Sequence, residues 1–350
     1  MSTRFSATRL KLLGSGSALP GRSVDNDELL SALRERCGAK AAKVAAKFAN
    51  RLGIRSRHLS RDLERARSGT QSQHEAPTLC KQALEAAMPD AQMTYLIGHT
   101  ATPHTLLPAN ISWVAESMRY EGPYVELRQA CTGFAAGLTI AAAMVAEDPL
   151  AKIGIVGSET GSPYFDIDES FLDTDQLVNY VQMGDGAGAV MLGADDGADG
   201  HVISDIYYGH SGLDMQPGIG IEGGGSADPA CDKGLPFFRH RARDVRKHGE
   251  RLITDGIAAI ESRGYSLDDF DWIVPHQANG LIAELFVQRF PAAMGKVFVI
   301  ADQLGNLGSA AIWVALDRLR HSAMLEPGHR VLVLGAEASK YIYGGFIYTH

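Results

Sequence analysis

Cys131 is the residue in this sequence best placed for covalent chemistry. A short extended run, Tyr124 to Ala130, ends at it, and a long uncharged run rich in alanine and glycine, Thr132 to Ala146, follows. That order reads as strand, sharp turn and buried helix. A cysteine in the first turn of a helix faces unpaired backbone N–H groups and the positive end of the helix dipole. The thiolate, which is the nucleophilic form, is therefore expected to be favoured over the thiol. The competing reading is a small buried apolar residue, the commoner fate of a lone cysteine. Two further residues able to do chemistry lie later in the chain: His276 within Pro275-His276-Gln277-Ala278-Asn279, and Asn306 within Gly305-Asn306-Leu307-Gly308-Ser309-Ala310. Taken singly, a histidine after a strand is more often structural and an asparagine before a helix is a cap.

The elements that must position these residues are legible as runs. Leu10 to Gly16 reads as a first strand entering a glycine turn. Gly14-Ser15-Gly16 invites comparison with a nucleotide-binding loop, but a third glycine and the later acidic residue are missing, and Ala18-Leu19-Pro20-Gly21 interrupts any helix. Asp25 or Asn26 can cap a helix reaching Arg36, and Ala39 to Arg51 continues at helical spacing to Gly53. A helix is expected over Gln73 to Ala87, a strand over Met93 to Ile97 and a helix over Ala109 to Tyr120. Buried strands are expected at Ile153 to Glu159 and after the turn Gly184-Asp185-Gly186, where Asp185 should hold neighbouring amides. Arg51, Arg55, Arg57 and His58 form a basic cluster that reads either as a solvated face or as a phosphate contact.

The second half repeats the first. Asp271 to His276 restates Met93 to His99, and Arg330 to Glu337 restates Lys152 to Glu159. Thr94 to Ile153 and Trp272 to Val331 are both 59 positions apart. A duplicated α/β unit is the economical explanation, against a coincidence of two buried-strand patterns, with the acidic, glycine-rich stretch Ala194 to Gly200 as the boundary. The expected division is 1–195, carrying the cysteine, and 196–350, carrying the histidine and asparagine. The helix near Asn306 then corresponds to the helix at Cys131, the two starts facing each other across a pseudo-twofold axis.

Composition sets the outer bounds. With 350 residues, 45% hydrophobic and 21% charged, the chain can bury a sizeable core. A net charge of -8 argues against general nucleic-acid binding. No signal-peptide core and no apolar run of about 20 residues occurs, so the cytosol is expected and membrane insertion is not. The four cysteines, Cys37, Cys80, Cys131 and Cys231, lie far apart, which suggests neither a disulfide framework nor a metal site.

Gln129-Ala130-Cys131-Thr132-Gly133-Phe134, Gly184 to Gly188, Pro275 to Asn279 and Gly305 to Ala310, together with Ala101-Thr102-Pro103, Leu107-Pro108-Ala109 and Leu52 to Arg57, resemble the thiolase superfamily and, within it, the β-ketoacyl carrier-protein synthase III group. The likeness runs in order over nearly the whole chain. It implies a thiolase-like fold, duplicated α/β halves forming a five-layered αβαβα sandwich. It also implies a Cys131-His276-Asn306 site in which the cysteine takes an acyl group from a thioester. A thiolate is both a good attacker and a comparable leaving group, so the acyl-enzyme is neither a trap nor too fleeting. His276 and Asn306 would stabilise the enolate formed when a malonyl thioester loses carbon dioxide. The Cys131 amide would form one oxyanion hole, and Ser339 is the candidate for the second. Leu106, Leu107 and Asn279 are candidate substrate contacts. No cofactor is implied; acyl-CoA or acyl-carrier-protein thioesters are substrates. A homodimer is implied because the loop Thr105-Leu106-Leu107-Pro108 resembles one that crosses into a partner's acyl pocket.

Three departures stand out. Gly335-Ala336-Glu337-Ala338-Ser339-Lys340 replaces a glycine triplet, Leu281 replaces a phosphate-contacting arginine, and no adenine-stacking tryptophan lies in Ala39 to Arg51. The coenzyme A carrier is thus less secure than the acyl transfer, and the run Arg239, His240, Arg241, Arg243, Arg246, Lys247 could dock an acidic carrier protein or be a solvated helix face. Glu126 and Arg128, on one strand face, are expected to pair in an interface network. Decarboxylative condensation in fatty-acid or specialised lipid or polyketide synthesis is the leading reading. Acyl transfer without decarboxylation, head-to-head condensation and a catalytically silent partner subunit are the alternatives.

Overall fold

The structure, a computed structural model, describes residues 3–64, 75–88, 92–169, 171–198, 200–229 and 236–350. Cys231 and the beginning of the helix expected from Gln73 lie outside the described residues. The strands are β1 Arg4–Phe5, β2 Leu10–Ala18, β3 Ser23–Asp25, β4 Ser56–His58, β5 Tyr95–His99, β6 Tyr124–Leu127 and β7 Ile153–Glu159 in the first half. They continue as β8 Gly186–Ala194, β9 Val202–His210, β10 Ile219–Glu222, β11 Phe237–His240, β12 Trp272–Pro275, β13 Arg330–Glu337 and β14 Ile342–Thr349. The helices are α1 Asn26–Leu52, α2 Ala76–Ala87, α3 Asn110–Met118, α4 Gly133–Glu147, α5 Thr174–Gln182, α6 Ala242–Glu261, α7 Ile282–Arg289, α8 Ala301–Leu304 and α9 Ala311–Arg320.

Ten strands form one hydrogen-bonded sheet in the order β12-β13-β14-β9-β2-β8-β7-β5-β6, with β1 on β9. The path is a mirror about its centre. In the first half β5 runs parallel to β7, which is antiparallel to β8, which is antiparallel to β2; in the second, β12, β13, β14 and β9 repeat those relations. Along the sheet path the halves join through β2 and β9, at Leu10↔Ile203 and Lys11↔Val202, with β1 adding Arg4↔Tyr208 and Phe5↔Tyr207. The register differs slightly from the expected repeat. Trp272 opposes Val331 as anticipated, but Tyr95, not Thr94, opposes Ile153.

The layers follow from which faces are apolar. β7 is buried along its full length, as an interior strand covered on both sides must be. On one side of the first half lie α2 and α3; on the other lie α4 and α9, which also pack on the strands of the second half, and α6 covers the far face of β13 and β14. Helix, sheet, helix pair, sheet and helix make five layers, and the middle pair is buried enough to be apolar nearly all round.

Local details refine the expectations. Asp25 caps α1 through the Glu28 amide, Gly38 breaks the helix with φ of 78°, and Gly53 ends it in the left-handed region. Gly14-Ser15-Gly16 is mid-strand and not a ligand loop. A Cβ on Gly14 would stand 2.1 Å from the Ala87 carbonyl oxygen and one on Gly16 2.4 Å from that of Ala83, so these glycines admit α2 against the sheet. The basic cluster also dissolves: Arg57 is buried against Asn26 Oδ1 and the Val181 carbonyl, and Arg55 pairs with Asp302. The run from Arg239 to Lys247 is not one helix face. Arg239 lies on β11 paired with Glu222, His240 is buried against Asn179, and only Arg243, Arg246 and Lys247 are exposed on α6. Among the described residues, no helix is long and apolar enough to cross a membrane.

Candidate active site

A cavity of about 470 Å³ opens where the strands of both halves end, within the size range of small-ligand sites. Cys131 and Asn306 line it, as do Leu106, Ser339, Arg128 and two carboxylates, Glu159 and Glu337. Leu107 and Asn279 do not. Leu107 points to solvent, and the Asn279 side chain accepts from the Leu281 amide in a local turn. Leu281, where an arginine was anticipated, packs against Gly53.

Cys131 sits just outside α4, whose cap position is Thr132. The expectation of a dipole-stabilised thiolate is not met. Burial pushes the thiol well above its ordinary range, and the charges of Glu337 and Glu159 push it further. A half-charge at a helix end does not offset desolvation plus two carboxylates.

His276 follows the last residue of β12, with its amide on the Leu334 carbonyl at 2.7 Å. It is buried beside the cavity wall and does not line the cavity; burial pushes it down to about 4, so it is neutral at physiological pH, and its Nδ1 has no hydrogen-bond partner among the described residues. Gln182 ties this segment to Asn306: its Nε2 donates to the Ala278 carbonyl at 2.8 Å and its own carbonyl accepts from the Asn306 amide at 2.8 Å. Asn306 Oδ1 accepts from the Gly308 amide at 3.0 Å, capping the turn before α9 and leaving Nδ2 for a ligand.

Glu159 and Glu337 were visible only as the last residues of a repeated strand pattern. In the structure each latches the helix start of the opposite half. Glu337 Oε2 accepts from the Thr132 amide at 3.0 Å and the Thr132 hydroxyl at 2.8 Å. Glu159 Oε2 accepts from the Ser309 amide at 3.0 Å and the Ser309 hydroxyl at 2.8 Å. The distances repeat because the duplication repeats. An acidic residue closing an otherwise apolar strand in both halves was the signal that could have exposed them. Asp185 plays the structural part expected, accepting from the Ser60 and Ser162 amides.

The Glu126–Arg128 pair is corrected. Glu126 Oε2 accepts from the Ile111 amide at 2.8 Å, capping α3, whose own cap position, Ala109, offers no acceptor. Burial raises its carboxyl, the Ile111 and Asn110 amides draw it back, and Arg128 contributes least. Arg128 is instead a cation on the cavity wall.

Residues 125–212 match the family model described as 3-oxoacyl-[acyl-carrier-protein] synthase III, and residues 260–348 match its C-terminal counterpart. A β-ketoacyl-[acyl-carrier-protein] synthase III of Bradyrhizobium sp. is 31% identical over 332 residues, 93% of this chain and 94% of that protein. One from Rhizorhabdus wittichii is 28% identical over 347 residues, 96% of this chain and 98% of its own. The structure of AbyA1, a tetronic acid condensing enzyme, superposes with a TM-score of 0.82 at 26% identity, over 97% of this chain and 100% of that one. The chain belongs to the β-ketoacyl-[acyl-carrier-protein] synthase III family of acyltransferase-type condensing enzymes.

Proposed function

We propose that the protein takes an acyl group onto Cys131 from a coenzyme A or carrier-protein thioester and condenses it with a malonyl thioester, releasing carbon dioxide and forming a β-ketoacyl thioester. The observation that carries this reading is the convergence of Cys131 and Asn306 on one mainly apolar cavity, with neutral His276 tied beside them through Gln182. Thioester exchange keeps the acyl group activated on sulfur. Loss of carbon dioxide from the malonyl group leaves an enolate, whose oxygen needs donors already in place. The Asn306 amide and a neutral imidazole N–H are such donors, and neither costs a proton. The Cys131 amide would serve the acyl carbonyl, with Ser339 on the cavity wall as the candidate for the second donor. The wall supplied by Pro103, Leu106, Met183, Ile219, Ile221 and Phe238 is apolar and suits a hydrocarbon chain more than a nucleotide.

The test separates the two half-reactions. Mass-tagged acyl thioesters should add one acyl group to the wild type and none to Cys131→Ala. His276→Ala and Asn306→Ala should still be acylated, while carbon dioxide release from malonyl thioester falls by about 10²–10³, the usual cost of removing one oxyanion donor. Acylation without malonyl-dependent carbon dioxide release would leave acyl transfer to another acceptor. Equal loss of both steps in the His276 and Asn306 variants would contradict the division of roles.

A further inference from the structure

Two buried carboxylates reach the wall of the nucleophile's cavity, and the condensing chemistry above uses neither. Glu337 is the nearer in bonding: its Oε2 is held by the amide and hydroxyl of Thr132, the residue after the nucleophile, and its Oε1 takes the hydroxyl of Ser339. Glu337, Ser339 and Cys131 all line the same cavity. Glu159 is engaged in the same pattern at the other helix start, with Oε1 on the Thr102 hydroxyl and Oε2 on two donors of Ser309.

A thiol hemmed in by burial and negative charge does not stand as thiolate at neutral pH, so its proton must leave as the sulfur attacks. Something must accept it. His276 is weakly basic where burial holds it, and in the reading above it serves as the N–H donor to the enolate. Glu159 carries the same three-bond pattern, but its anchor is Ser309 at the opposite helix start, whereas Glu337 is anchored on the residue next to Cys131. On Oε1, Glu337 has a single hydroxyl partner, and a hydroxyl can rotate away without loss of the Thr132 anchor.

We propose that Glu337 is the base that takes the Cys131 proton as the thiol attacks the acyl thioester, and the acid that returns it to the departing thiol. The inference rests on the acyl-cysteine reading above. In the forward step the S–H bond of Cys131 breaks, an O–H bond forms on Glu337, and the cysteine sulfur bonds to the acyl carbon. On collapse the bond from that carbon to the carrier sulfur breaks, the carrier sulfur takes the proton, and Glu337 is a carboxylate again. No oxidant or further reactant enters.

The competing role for Glu337 is purely structural, as the cap of α4. Two rates on Cys131 distinguish them: acylation by mass-tagged hexanoyl-CoA and acetyl-CoA, and alkylation by iodoacetamide as a function of pH. Glu337→Gln keeps an acceptor for Thr132 and offers its amide to the Ser339 oxygen. Removing the charge should lower the pH at which Cys131 is alkylated, yet acylation should slow by about 10²–10⁴, the usual worth of a general base. Glu337→Asp, which restores a carboxylate, should recover part of the acylation rate. Acylation of Glu337→Gln that equals or exceeds the wild type overturns the inference, since the carboxylate would then only raise the thiol. So does equal slowing of the Gln and Asp variants. A wild type that iodoacetamide alkylates but neither acyl thioester labels overturns the acyl-cysteine reading itself, and this inference with it.

Discussion

Glu126 and Arg128 show how one strand face divides its labour. Both residues project to the same side, as their spacing requires, but the acid is drawn to the unpaired amide of Ile111 and the cation is left on the cavity wall. Stability should therefore depend on only one of them. Glu126→Ala should cost about 1–2 kcal/mol in a denaturant melt, the loss of a helix cap, whereas Arg128→Ala should fall within about 0.5 kcal/mol of wild type, as for surface positions. Equal costs would restore the paired reading. The sequence made both residues conspicuous but could not pair them correctly, because the competing partner is an amide 15 positions away at a helix start whose own cap position is an alanine. Glu337 was less legible still, since its partner Thr132 lies 205 positions away.

Among the elements, apolar runs were read well and close approaches were not. β7 and β13 announced themselves by length, lack of alternation and a repeated terminal acid, and α4 by an uncharged run that only a middle layer tolerates. Gly14 and Gly16 resembled a ligand loop because glycine permits both a tight turn and the close approach of another backbone, and sequence alone does not separate the two. His99 shows the same limit. It accepts from the Trp313 indole at 3.0 Å, and Gly133 and Gly157 are glycines because a Cβ on either would strike its ring at 2.4 and 2.5 Å. A direct check on close packing is Gly16→Ala. Its Cβ would lie 2.4 Å from the Ala83 carbonyl oxygen and 2.6 Å from the Ala86 methyl, so α2 must lift. Thermal unfolding should show a loss of about 1–3 kcal/mol, typical of overpacking; an unchanged melt would mean that α2 is loosely docked.

At the scale of the whole molecule, the exposed tip of the loop before α3 is the feature least suited to a monomer. Leu106 is 66% and Leu107 88% exposed, the first on the cavity wall and the second beyond it. On the reading that this tip is a dimer contact, light scattering on the purified protein should give twice the chain mass. Leu107→Asp should lower that mass toward one chain and reduce acylation; a wild type that is active as a monomer would refute the dimer. The reciprocal latches carry a different consequence, one of timing. The nucleophile's helix is supplied by the first half of the chain, but the carboxylate that fastens its start lies 205 positions further on. During synthesis the thiol is therefore made long before its surroundings are. Until β13 docks, Cys131 lacks the charge of Glu337 and the burial the second half supplies, so its thiol is then nearer an ordinary cysteine, more open to oxidation and adventitious alkylation than in the closed fold.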